Sequence, residues 1–477
     1  MSPLAWLAFV PVLVAARRAA SGRRAAQLGW LAGVAYFGVS MHWIYSTCRF
    51  AGVPFPVSLI AWSALSCLLA LNWGAFAFLA RRLATLPEAA WPWACAASWS
   101  ALEFLTGRFT PRVGGDLLGY SQWRFLAWLQ PSSWFGPQGL GFLIMAVNAA
   151  LALWWLSRRW ARPAPRPLWA AAGLAAAWWM AGAAMLAGAR PASGTPPRVA
   201  ILQPNIDQYR KWDAEEADDI RRTLDGLLAR AAAARPDLIL WPETALPGWL
   251  EDPENAAWVA GWARRSGAPQ LVGTITADGG VHRNSAVLLD AQGAFAGSYH
   301  KRQLVPFGEF VPLRRWLEPY VGILSQMGDF EAGPPVQAPL PTPAGPLGVT
   351  LCYEAVFPRW NRLTAAAGAR LLANLTNDGW YKDTWGPVHH FYANRFRAVE
   401  NRIPLVRAAN TGISAIIDPW GRIVSRLELL KAGVLVGEVP GVGAFPRGSL
   451  YARWGDWLGW LAAAAVLGLL ALNERRR

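Results

Sequence analysis

Of the four cysteines in the 477-residue chain, Cys352 is the one whose setting suits chemistry. It closes the apolar run Gly348-Val349-Thr350-Leu351-Cys352, which reads as a buried strand, and an α/β fold presents the residue at such a strand end to a cleft. A thiol at its free pKa of ~8.5 is mostly protonated at neutral pH, so a nucleophile here needs a base or a nearby positive charge. Taken singly, the residue fits equally the usual fate of a free cysteine, a small buried hydrophobe.

Glu243 is a candidate base, because Leu238-Ile239-Leu240-Trp241-Pro242 again delivers a polar residue directly after a buried strand. An ordinary loop carboxylate is its other reading. Lys301, in Tyr299-His300-Lys301-Arg302-Gln303-Leu304-Val305-Pro306-Phe307-Gly308-Glu309, could place positive charge near a thiolate and the oxyanion formed when it attacks a carbonyl. Composition alone also allows Lys301 to be a solvated loop charge. The competing bases are His300, His389 and His390, since cysteine hydrolases often use histidine; His389 and His390 open an expected helix and could instead cap it or face solvent.

The elements that must position these residues lie in a polar stretch from about 195 to 450. Strands are expected at Val199–Leu202, Leu238–Trp241, Leu271–Ile275, Ala286–Leu289, Leu347–Cys352, Leu371–Leu375, Leu405–Arg407, Ser414–Ile417 and Val434–Val436. Helices are expected at about 214–234, 254–266, 358–367 and 388–402, the first opened by Asp213 with Glu216 three residues on. The alternation describes a layered α/β domain. There is no internal repeat, phosphate-binding glycine loop or metal-ligand spacing, and no cofactor or metal is expected.

The remainder is written for a different solvent. The chain is 54% hydrophobic and only 16% charged, too little polar surface for a soluble protein of this length. Apolar runs at roughly 3–16, 25–46, 55–80, 89–106, 134–156, 167–188 and 455–472 suggest about seven membrane spans. The first is followed by Arg17, Arg18, Arg23 and Arg24, the reverse of a cleavable signal peptide. The net charge of +15 resides largely in arginines at span ends, which the positive-inside rule explains without nucleic acid. That rule puts those arginines, Arg81, Arg82, Arg158, Arg159 and the C-terminus inside, and the 195–450 domain outside. Many of the 30 tryptophans lie near span ends, as an aromatic belt would. The expected division is a membrane domain of about six helices over 1–190, an exported catalytic domain over 195–450, and a final span with a basic tail over 451–477. Glu103, near the end of a span, is expected to reach water or pair with Arg108. The apolar segment Leu313–Phe330 is expected to dip toward the lipid surface.

Three fragments occur in one order: Trp241-Pro242-Glu243, Lys301 with its Val-Pro-Phe-Gly-Glu tail, and Leu351-Cys352-Tyr353-Glu354. The set resembles the nitrilase superfamily, whose members use a Glu-Lys-Cys triad on a four-layer α-β-β-α sandwich. Joined to a multi-span region, and with Gly119-Tyr120-Ser121-Gln122, Lys211-Trp212-Asp213, Asn377-Asp378-Gly379-Trp380 and Asn410-Thr411-Gly412-Ile413, it is similar to the apolipoprotein N-acyltransferase family across nearly the whole chain. The resemblance implies an α-helical multi-span membrane domain plus a nitrilase-like α/β domain, in a bacterial cytoplasmic membrane. It makes Glu243 the general base, Lys301 the oxyanion stabiliser and Cys352 the nucleophile. Glu309, Tyr353 and Glu354 would support them, and Trp212 would stand at the mouth of the site. It further implies a phospholipid acyl donor, an apolipoprotein acceptor and a working monomer. The family usually has eight spans, so a further one would precede residue 1; and where it often carries a tryptophan before Gly-Tyr-Ser-Gln, this chain has Gly115. Two alternatives remain at this point: a membrane-bound hydrolase using the same triad, and a transporter whose outer domain only binds.

Overall fold

The computed structural model describes residues 2–110, 117–158, 166–189, 194–208, 210–211, 213–312, 314–317, 329–446 and 448–475. The chain divides into two compact units, one formed by Met1–Ala189 with Ser449–Arg477 and the other by Arg190–Gly448.

The first unit is helical: α1 (Val10–Arg18), α2 (Gly22–Ser40), α3 (Phe55–Arg82), α4 (Trp91–Phe109), α5 (Pro137–Arg158), α6 (Arg166–Ala187) and a C-terminal helix, Trp457–Glu474. Among the described residues, four helices are long and apolar enough to cross a bilayer: Phe55–Thr85, Pro137–Ser157, Arg166–Ala187 and Trp457–Glu474. Fewer of the expected spans therefore meet that standard. The run at 3–16 is split between a 3-10 turn, Ser2–Trp6, and the nine residues of α1, and at ~1.5 Å per residue α1 is far shorter than the ~30 Å hydrocarbon layer. The run at 25–46 breaks at Met41, between α2 and the short helix His42–Phe50. Helices pack through small residues. A Cβ on Gly29 of α2 would lie 2.5 Å from Ala77 Cβ and 2.6 Å from Trp73 O of α3, so glycine is what allows this approach. Glu103 departs from its expected role: it is buried at 1% exposure, and its Oε1 accepts a 2.7 Å hydrogen bond from Leu118 N. The carboxylate anchors the start of the turn Leu118–Gln122 instead of reaching water.

The second unit is built on two sheets. One has six strands: β1 (Arg198–Gln203), β2 (Leu238–Leu240), β3 (Gln270–Asp278), β4 (Val281–Leu289), β5 (Phe295–His300) and β11 (Gly433–Glu438), in the order β11-β1-β2-β3-β4-β5. The other has five: β6 (Leu347–Leu351), β7 (Leu371–Thr376), β8 (Leu405–Ala409), β9 (Ser414–Ile417) and β10 (Ile423–Leu427), in the order β10-β9-β8-β7-β6. The period-2 alternation of β1 decides what meets what. Val199 and Ile201 join Leu347, Val349 and Leu351 of β6 and Leu375 of β7 in the core between the sheets. Ala200 and Leu202 face the other way, onto Leu224 and Leu228 of α7 (Ala217–Ala233) and Val259 of α8 (Pro253–Ser266). Helices α9 (Pro358–Ala366) and α10 (Gly386–Asn401) pack on the second sheet. The result is the expected four-layer α-β-β-α sandwich.

Strands β5 and β10 lie outside the expected set. The first carries Gly297, Ser298 and His300, and the second is a half-exposed edge strand, so neither shows an apolar run. Parallel pairing sets Leu351 opposite Leu375, which brings the residues following β6 and β7 side by side.

Candidate active site

Glu243 leaves β2 through Pro242, and its turn crosses directly over Gly273 of β3. A Cβ there would lie 2.3 Å from Pro242 O and 2.6 Å from Glu243 Cα, so the crossing requires glycine. Ala245 N closes the turn on Gly273 O at 2.9 Å. Both carboxylate oxygens of Glu243 are engaged: Oε1 by Asn284 Nδ2 at 2.7 Å and Lys301 Nζ at 3.1 Å, and Oε2 by Asn377 N at 2.8 Å.

Lys301 follows β5, and its N–H donates to Asn284 O on β4 at 2.8 Å. Only 1% of the residue is exposed. Besides Glu243, its Nζ donates to Glu309 Oε1 at 2.7 Å. Burial works against the Lys301 charge, but Glu243 and Glu309 outweigh burial and hold its pKa well above the usual lysine range. Glu309 is fixed in turn by Val305 N at 2.8 Å on its Oε2 and by Asn284 Nδ2 at 2.7 Å. Asn284 thus donates to both carboxylates that flank Lys301. It escaped sequence reasoning, although an asparagine beside the apolar run Ala286–Leu289 was a signal.

Cys352 lies one residue past β6, at the start of the 3-10 turn Cys352–Val356, and its φ is +46°. A non-glycine residue in the left-handed region stores strain that its surroundings must hold. Asn374 Nδ2, on β7, donates to the Cys352 carbonyl at 3.2 Å. Behind it Arg407 of β8, fully buried, donates to Asn374 Oδ1 and, at 2.7 Å, to Asp378 Oδ2. Burial pushes the Cys352 thiol up and the charge on Glu243 adds to that push, against the pull of Lys301. Glu243 and Lys301 thus act on the thiol in opposite directions.

Glu354 joins two segments of the site through its carboxylate. Wholly buried, it accepts Leu351 N at 2.8 Å and Tyr299 OH at 2.7 Å on Oε2, and Arg302 N at 2.6 Å and Gln303 N at 3.0 Å on Oε1. One side chain ties the strand end before Cys352 to the peptides after Lys301. Tyr353 is buried, its ring 4.8 Å from that of Phe357. Trp212, Gly115, Leu313 and residues 318–328 of the apolar segment lie outside the described residues.

The histidines have other occupations. His390 Nδ1 is 3.3 Å from Asp378 Oδ1, and His300 Nδ1 is 2.8 Å from Ser285 Oγ. Burial lowers the pKa of His389 to about 4, with His390 adding to the shift. A thiol, a carboxylate held by three hydrogen bonds and a buried ammonium can perform acyl transfer through a thioester.

Residues 198–446 match the carbon-nitrogen hydrolase family model, and residues 1–150 match the apolipoprotein N-acyltransferase N-terminal domain. Over all of its length the chain is 36% identical to the apolipoprotein N-acyltransferase of Geobacter metallireducens, covering 92% of that protein. It is 34% identical to that of Methylococcus capsulatus, covering 96% of this chain and 89% of that one. Among solved structures, the C. elegans NitFhit protein is 21% identical, with 53% of this chain and 63% of that chain covered and a TM-score of 0.43. The extent of the two sequence relationships, at both ends of the chain and across both units, settles its kinship: this chain belongs to the apolipoprotein N-acyltransferase family.

Proposed function

We propose that Glu243, Lys301 and Cys352 carry the acyl transfer by which this membrane enzyme completes lipoprotein maturation. The observation that carries the assignment is the buried Lys301, pinned between Glu243 and Glu309 in the same polar site as the Cys352 thiol.

In the first half-reaction the Glu243 carboxylate takes the thiol proton as sulfur bonds to the ester carbonyl carbon of a membrane phospholipid. An ammonium has three N–H groups, and the two flanking carboxylates engage Lys301 in fixed directions; its remaining N–H serves the oxyanion. Collapse breaks the ester C–O bond, and Glu243 returns the proton to the departing lysophospholipid. In the second half-reaction the α-amino group of the lipid-modified N-terminal cysteine of an apolipoprotein attacks the thioester. The nitrogen gives its proton to Glu243, the C–S bond breaks, and the thiolate is reprotonated. Both substrates are confined to the bilayer, so catalysis gains proximity from residence in the same membrane.

The chain divides functionally as a membrane domain over 1–190, the catalytic domain over 195–450 and a final span over 451–477. The arginine pattern supports placing the catalytic domain on the periplasmic side and the C-terminus in the cytoplasm. Trp212 is assigned to the mouth of the site and Tyr353 to its support, and the enzyme works as a monomer.

The test is mass spectrometry of the full-length enzyme incubated with phospholipid and no acceptor. A fatty-acyl mass on Cys352, absent from Glu243→Ala, is expected. An enzyme that releases free fatty acid and never N-acylates a supplied lipoprotein would instead be a hydrolase.

A further inference from the structure

We propose that Lys211 is a positioning residue for Glu243, pinning the turn that aims the base and setting the charge beside it. The inference rests on the assignment of Glu243 as base. It comes from a second buried amine in the unit, 2% exposed, on the loop after β1. Lys211 Nζ donates to Thr244 Oγ1 at 2.7 Å and to the Glu243 carbonyl at 3.4 Å.

Both contacts fall on a turn that is poor at holding itself. Thr244 has φ +45°, a strained value for a β-branched residue. On its other side the turn presses on Gly273, where there is no room even for a methyl group. Lys211 thus grips the main chain of the base from one side while Asn284, Lys301 and Asn377 grip its carboxylate from the other.

A mere strut need not be an amine. Burying a charge is costly, and a neutral donor would bond the same hydroxyl and carbonyl at lower cost. Burial lowers the Lys211 pKa to about 7, with Glu243 the charged group that opposes the fall; Lys301 and Glu309 stand beyond Glu243. Near neutrality the amine therefore passes between charged and neutral forms. While charged, it opposes transfer of the thiol proton to Glu243; once neutral, it no longer does. Acylation accelerates as Lys211 loses its proton.

The test follows acylation of Cys352 by phospholipid in the full-length enzyme without acceptor, so that no acceptor amine titrates. The wild-type rate should rise through an inflection near pH 7. Lys211→Gln keeps a donor but no charge, and should retain the rate at pH 8 to within about threefold while losing the inflection. Lys211→Met loses both and should fall about tenfold in kcat with the phospholipid KM unchanged. Because the folded-state pKa is lowered, the unfolded chain binds more protons between about pH 7 and 10.5, and the burden on stability is greatest below pH 7. Relative to wild type, the Tm of Lys211→Met should therefore gain more at pH 6 than at pH 9. An inflection that persists in Lys211→Gln overturns the proposal, and so does a wild-type rate in Lys211→Met. Should Lys211→Met not fold, Lys211→Gln decides alone. Absence of an acyl mass on wild-type Cys352 would instead overturn the assignment of the nucleophile.

Discussion

Lys301 and Arg407 are both cations buried in the catalytic unit, at 1% and 0% exposure, and they are held in opposite ways. Arg407 spreads its donors over Asn374 Oδ1 within β7, Asp378 Oδ2 just past the end of β7 and the Ile413 carbonyl just before β9. A planar guanidinium with its fork engaged has no proton to lend and no freedom to turn. Burial works against the charge on Asp378, but Arg407, His390 and Thr376 together outweigh it and keep the carboxyl below its usual range. Lys301 gathers its acceptors at a single point charge, and the carboxylates it meets, 7% and 12% exposed, belong to a site that must admit substrate. The contrast separates a cation that holds the nucleophile's strand from one that meets developing charge.

If that division is right, removing each cation breaks a different property. Lys301→Met should reduce acyl-enzyme formation at least about 10³-fold, since it deletes the charge that stabilises the oxyanion, with a smaller effect on the melting temperature. Stopped acylation assays alongside a melting curve check this. A protein that unfolds in proportion to its lost activity would make Lys301 a strut after all. Arg407→Met should do the reverse: it strands Asp378, which has no exposure to solvent, and should cost about 3–5 kcal/mol of stability. Adding Asp378→Asn should restore part of that loss, and a double-mutant melt that shows no recovery would uncouple the two residues.

How far such roles could be read beforehand depended on whether a residue's neighbours are local in sequence. Glu243 and Cys352 directly follow apolar runs, and Lys301 leads a distinctive tail, so each was visible as a candidate. The strands β1, β6 and β7 were visible for the same reason: they are buried along nearly their whole length. Arg407 looked like the end of a strand, and its burial against Asp378 exists only because β7 and β8 pair in parallel with Asn374 opposite Arg407. Lys211 lies in the run Lys211-Trp212-Asp213, where sequence alone shows no role for it, since its partner turn lies 33 residues away. Glu103 departs from expectation because its position near a helix end says nothing of Leu118 folding back onto it.

Asn284 sharpens the comparison most finely, because it serves the lysine's side of it without carrying charge. Its register on β4 is fixed opposite Ile275, and its own carbonyl holds Lys301 N at 2.8 Å. That main-chain bond survives any side-chain substitution, so Asn284→Ala removes only the amide that donates to Glu243 and Glu309. The two carboxylates then depend on Lys301 for their spacing, and the ammonium is drawn further toward them, away from the oxyanion. Two lost hydrogen bonds to charged acceptors would be worth about 3–6 kcal/mol if nothing replaced them, but water entering the space left by the amide offsets most of that. Acylation should slow by about tenfold, or ~1.4 kcal/mol in the barrier, with little change in Tm. Asn284→Asp, which adds a third carboxylate beside Lys301, should be slower than Asn284→Ala. Equal rates for the two variants would mean that Asn284 only fills space, and that Lys301 alone sets the geometry of its carboxylates.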